Sequence, residues 1–140
     1  MKATELRIGN LIEYKIEDEL EERKEWWEVS KVDFQDLTWL DSNPEDDDFR
    51  PIKITEEWLL KFGFEDITGV DYILHIDVDF KLILIPADAF YPQIDKADDV
   101  GWGSISLNKI EYIHQLQNLY FALTGEELAQ VSEGENKNFV

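Results

Sequence analysis

From Lys109 to Leu123 the chain reads KIEYIHQLQNLYFAL, and between Ile110 and Leu123 only Glu111 carries a formal charge at pH 7. On a helix, Tyr112, Ile113, Leu116, Leu119, Tyr120 and Leu123 fall within about 120° of one another. Ile110 and Phe121 widen that apolar surface, while Glu111, Gln115, Asn118 and Ala122 share the remaining stripe. A soluble helix this apolar packs against protein on most sides. The pattern therefore predicts a core helix, capped by Asn108 with Glu111 bonding back to the cap, and stopped at Gly125.

Elsewhere the period shortens to two. Ile8, Ile12, Tyr14 and Ile16 alternate over 7–16 and predict a first strand, with Gly9 as a candidate bulge. The highly charged stretch 17–25 reads as a loop. Strands follow at 26–34 and 37–41, separated by Gln35-Asp36, and DSNPEDDD (41–48) reads as a second loop. Thr55 caps a short helix to Phe62, with Glu56 and Glu57 in its first turn, Lys61 in its last and Gly63 as its stop. Trp58, Leu59 and Phe62 form its buried face, and Phe64 follows it into the core. Every even position from Tyr72 to Leu84 is apolar, too long a run for one ordinary strand. It predicts two strands, 71–76 and 80–85, reversing near Asp77–Asp79. Residues 87–99 read as a loop, and 104–107 as a last strand before the core helix.

The order is βββαβββα. It predicts an α+β domain: a mainly antiparallel, strongly twisted sheet or partly open barrel of about six strands, with one short and one long helix. Residues 1–130 are expected to form one domain, with 131–140 as a flexible tail.

Cysteine is absent, which removes disulfides and thiolate metal sites and fits a reducing cytoplasm. MKATELRIGN lacks the apolar run of a signal peptide, and no segment reaches membrane-spanning length. The net charge of −19 is spread evenly, −9 over 1–50 and −10 over 51–140. It speaks against direct nucleic-acid binding, which needs clustered Lys and Arg, and for solubility and self-repulsion. A sharper alternative is an acidic decoy mimicking the DNA phosphate rail, which requires carboxylates in two rows.

Candidate chemistry is sparse. His75, Asp77 and Asp79 alternate, yet a reversal there breaks their alignment, so an outward polar row is preferred to a metal site. His114 reads as a hydrogen-bonded, partly buried histidine. Residues 41–52 fail as a calcium loop: Asp46 stands where glycine is required and Ile52 where the bidentate glutamate belongs. Gly101-Trp102-Gly103 lacks the lysine and helix of a phosphate loop, and no serine sits in a nucleophile elbow. Neither catalytic residue, cofactor nor metal is expected. Trp26 and Trp27, adjacent on a strand, point to opposite faces. They are packed under neighbouring elements or offer an exposed indole, and they form the candidate partner-binding surface.

Three stretches, KATELRIGNLI, PIKITEEWLLKFGF and IEYIHQLQNLYFALTGEEL, resemble a family of short, uncharacterised proteins of Bacteroidetes bacteria and their phages. The resemblance implies a cytoplasmic, phage- or prophage-related protein and carries no catalytic or binding residue. Together these readings favour a non-enzymatic accessory or adaptor protein that binds another protein. The alternatives are the DNA-mimic decoy and a small-molecule-binding domain lined by some of the five tryptophans.

Overall fold

The computed structural model describes residues 1–18, 24–67 and 70–131. The chain is α+β with antiparallel sheets, as the alternating segments predict, but it carries eight strands and three α-helices in its described residues. They form an open three-stranded and an open five-stranded sheet rather than one barrel-like sheet of six. Two compact units result among the described residues: 1–53 with 112–126, and 54–111 with 127–131.

The first unit opens with a 3-10 turn, Ala3–Glu5, followed by β1 (Leu11–Glu17), β2 (Glu25–Lys31), α1 (Phe34–Ser42) and β3 (Phe49–Arg50). Its sheet order is β2-β1-β3. The first strand begins four residues later than its alternation suggested. Gly9 adopts a φ of 96° in a turn ahead of β1, and Ile8 is left exposed. The strand expected at 37–41 is instead part of a helix. Asp33 accepts a hydrogen bond from the Asp36 N–H at 2.8 Å, and the Asp36 carboxylate accepts from the Asp33 N–H at 3.0 Å. This reciprocal cap satisfies two otherwise orphaned donors and commits the following residues to helical geometry. Leu37 and Leu40 then point inward, with Leu40 fully buried.

The core helix is α3, Ile113–Thr124. It starts later than expected because the preceding residues stay extended: Phe90 pairs with Ile110, and Lys53 with Tyr112. Asn108 is therefore not the cap. Gln115 bonds back to the Tyr112 N–H at 3.0 Å in place of Glu111, and Gly125 closes the helix with a φ of 76°. Ile113 and Leu116 are buried, as the apolar arc requires, while Tyr120 and Leu123 are half-buried. The rest of the buried face is polar: His114 and Gln117.

Gln117 explains that exchange. Its side-chain oxygen accepts the Leu11 N–H at 2.7 Å, and its amide nitrogen donates to the Gly9 carbonyl at 3.4 Å. Beside it, Asn118 accepts from Asn10 Nδ2 at 2.8 Å and from Arg7 Nε at 3.1 Å. Arg7 also lies 4.3 Å over the Phe121 ring. Ahead of β1 the backbone polar groups are thus shared out: the Val32 main chain bonds the Gly9 N–H and the Asn10 carbonyl, and the helix side chain of Gln117 takes the Gly9 carbonyl and the Leu11 N–H.

In the second unit, α2 (Glu56–Lys61) is capped by Thr55, which accepts from the Trp58 N–H at 3.3 Å, and ends before Gly63 at a φ of 90°. Leu59, Phe62 and Phe64 are buried and Trp58 is half-buried. A meander follows: β4 (Glu65–Ile67), β5 (Asp71–Asp77), β6 (Phe80–Pro86), β7 (Phe90–Ala97) and β8 (Trp102–Ser106). The reversal falls at Val78-Asp79, between β5 and β6. The loop expected over 87–99 is mostly strand β7. Its Pro92 is tolerated because the Pro92 carbonyl accepts from the Leu107 N–H, at 2.9 Å. A strand residue's N–H and C=O point to the same side, so the missing N–H faces the flank where β8 has ended at Ser106, not β6. Most of the expected 17–25 loop (19–23) and the tail beyond Val131 lie outside the described residues.

Replacing Gln117 by leucine keeps the volume but strands the Leu11 N–H and the Gly9 carbonyl. Chemical denaturation is expected to show a loss of about 1–3 kcal/mol for each group left buried and unpaired.

Candidate functional site

On α1, Phe34, Gln35, Thr38, Trp39 and Ser42 fall within an arc of about 140°, opposite the inward Leu37 and Leu40. None of the five is charged, in a chain that is 32% Asp, Glu, Lys and Arg. Phe34 is 71% exposed and Trp39 52%. With Asn43 they line a shallow groove of 530 Å³. Single exposed apolar residues are ordinary; two large aromatic rings on one uncharged stripe form a patch.

Trp39 also walls a second groove, of 460 Å³, lined by Tyr14, Lys15, Gln35, Asp36, Asp46, Asp48 and Phe49. Tyr14 and Phe49 are direct cross-strand partners on β1 and β3, so their side chains share one sheet face. The Trp39 indole N–H donates to Asp46, whose other oxygen accepts the Asp48 N–H at 2.8 Å. The indole bond, then the backbone bond, hold the Asp46 carboxyl pKa below its ordinary value. Asp36 moves the other way. Burial is the main cause; the Asp33 N–H bond opposes it and the Asp33 charge adds to it. Lys15 lies 3.7 Å from Asp48.

Trp26 and Trp27 occupy opposite faces of β2. Trp26 pairs with Ile16 and shares the face that carries Tyr14 and Phe49. It is 41% exposed, and its indole donates to Glu28 at 3.0 Å. Trp27 is half-buried on the other face, with the Arg50 guanidinium 3.8 Å above its ring and the Lys15 ammonium 5.9 Å away. Neither indole lines the grooves beside α1. Phe34 and Trp39 were missed as site residues because 37–41 reads as a strand. The Asp33–Asp36 spacing was the signal that would have turned them onto one helical face.

Comparison with protein-family models, curated proteins and solved structures gives no match.

The remaining titratable candidates are dispersed. His75 lies 3.7 Å from Glu65, Asp77 ends β5 with its carboxylate accepting the Val78 N–H, and Asp79 sits in the turn. Among the described residues, the carboxylates of Asp46, Asp47 and Asp48 come within 4.8 Å of one another, but on a largely exposed turn. His114 is 1% exposed, not partly buried, and stacks on Tyr112 with ring centroids 5.8 Å apart. Its Nδ1 has no hydrogen-bond partner among the described residues. Burial depresses its pKa, opposed by the charge of Glu5. No helix among the described residues is long and apolar enough to cross a membrane.

Two pH effects are expected. Asp46 is held ionised by Trp39, so that bond stabilises the fold above the ordinary carboxylate range and is lost as pH falls through the depressed value. In an NMR titration the Trp39 indole signal should shift with a midpoint below about 3.9, the free aspartate value. In Asp46→Asn it should not. His114 acts in the same direction at higher pH: the unfolded chain takes up a proton at about pH 6.5 that the folded chain refuses. Wild-type stability should therefore fall faster than that of His114→Leu as pH drops below about 6.5, by at most about 1.4 kcal/mol per pH unit. Parallel denaturation curves at each pH check this.

Proposed function

We propose that this protein is a non-enzymatic binding module that recognises another protein through the outward stripe of α1. The observation that carries the reading is the exposure of Phe34 and Trp39 on a helical face without charges, in a molecule whose net charge is −19. A purely solvated face in such a chain is expected to carry some of the ionised residues that make up 32% of it. Aromatic rings held on a rigid helix lose little conformational entropy on docking, and residues of this kind dominate the energetics of most interfaces. The grooves on either side of Trp39 supply concave surface for a partner's side chains. Trp26, on the sheet face that continues from Tyr14, extends the surface; Trp27, under its two cations, does not. A cytoplasmic, phage- or prophage-related adaptor role belongs to the same proposal and rests on the resemblance of the three sequence stretches alone.

The test is capture of a partner from a native extract on immobilised wild-type protein, repeated with Phe34→Asp and with Trp102→Asp in the second unit. Phe34→Asp is expected to weaken retention at least about tenfold, equivalent to about 1.4 kcal/mol, and Trp102→Asp to leave it unchanged. Retention insensitive to Phe34→Asp would count against the α1 stripe. It would favour the electrostatic decoy, because that substitution only adds to the negative charge.

A further inference from the structure

We infer that the groove between α1 and the β1–β3 face is a receptor for an arginine side chain from a basic segment of the partner protein. The inference rests on the reading of α1 as the recognition surface and names the chemistry of what docks there. The groove has an aromatic floor, Tyr14 beside Phe49, and an aromatic wall, Trp39. Around it stand three carboxylates, Asp36, Asp46 and Asp48, against one ammonium group, Lys15. Asp46 is fixed beside the indole by two hydrogen bonds, one to each oxygen, and every carboxylate oxygen has a second lone pair. Lys15, at 3.7 Å, offsets only part of the Asp48 charge.

This combination matches one side chain best. A guanidinium is planar, so it stacks on an aromatic ring, and its fork of N–H donors meets a carboxylate edge-on. Lysine offers a compact, strongly hydrated charge that stacks poorly, and an apolar side chain leaves the carboxylates unanswered. The chain shows the same pairing within itself: Arg50 lies 3.8 Å over Trp27 while its Nε donates to Glu13 at 2.9 Å. There an internal arginine fills an aromatic–carboxylate site; beside Trp39 the site is an open groove of 460 Å³. The overall charge of −19 draws a basic segment toward the surface, and the groove selects where it seats.

The experiment is an NMR titration of the full ¹⁵N-labelled chain with the peptide acetyl-Gly-Arg-Gly-amide, alongside its lysine and norleucine counterparts. The expected result is a saturable shift of the Trp39 indole signal and of the amides around Tyr14 and Phe49. Arginine should bind at least about threefold more tightly than lysine, and norleucine should leave the signals in place. Asp48→Asn and Asp46→Asn should each weaken arginine binding at least about fivefold, and added salt should weaken it further. Asp77→Asn with Asp79→Asn, in the β5–β6 turn, should change nothing. Trp39→Phe keeps a ring in the wall and should retain weakened binding, reported by the Tyr14 and Phe49 amides. The inference is overturned if shifts scatter over all acidic turns, if lysine equals arginine, or if Asp46→Asn and Asp48→Asn bind as wild type. Its failure is separable from that of the α1 reading, because Phe34 does not line this groove. Phe34→Asp losing the captured partner while arginine shifts scatter removes the groove and keeps the stripe. A local arginine response with a partner indifferent to Phe34→Asp keeps the groove and removes the stripe.

Discussion

The first unit depends on a polar seam. Between residues 5 and 11 the Val32 main chain takes up the Gly9 N–H and the Asn10 carbonyl, while the Glu5 and Gly9 carbonyls and the Leu11 N–H find their partners on α3. Gln117 and Asn118 satisfy the Leu11 N–H, the Gly9 and Glu5 carbonyls and the amide of Asn10. Hydrogen bonds of this kind contribute modestly when made and are costly when broken in a buried setting. A hydrophobic interface would hold the same segments together in several registers; paired amides hold them in one. The first strand is thereby started at Leu11, which fixes Tyr14 opposite Phe49 and places the sheet face against which the Trp39 groove is built.

How much of this was legible in the chain varied with the length of each signal. The Thr55 cap, Lys61 and Gly63 delimited α2 because three independent cues agree within a few residues. The even positions from Tyr72 to Leu84 marked β5 and β6 because one alternation runs through both strands and their turn. Strands of two or three residues, such as β3 and β4, are too short for any period to show. Pro92 disguised β7, since its missing donor is harmless only where β8 has already ended, a fact of tertiary structure. On α3, apolar periodicity located the helix but not its start, which bridges at Ile110 and Tyr112 delay. It also assigned the seam residue Asn118 to the leftover stripe and passed over Gln117, because amides count as polar until their partners are known.

The candidate surface was less legible still. The indoles at positions 26 and 27 drew attention by composition, whereas Phe34 and Trp39 gain their meaning from helical geometry. Read as strand, residues 37–41 alternate and Trp39 is one aromatic among many. Wound by the Asp33–Asp36 cap, residues 34–42 set two rings and three uncharged neighbours on the solvent side. In a chain this acidic, the informative signal is where charge is withheld, and that becomes visible only once the period is right.

The antiparallel bridge between Lys53 and Tyr112 bears on what the chain between them can tolerate. Everything from 54 to 111 leaves and returns through two facing positions of the first unit. An excursion with adjoined ends can be lengthened, shortened or exchanged for a tight hairpin without rethreading its host. The five-stranded meander thus has the topology of an insertion, tied down a second time where the Val131 N–H donates to the Lys61 carbonyl at 2.7 Å, so a change in its length must also keep a seat for the chain that follows α3.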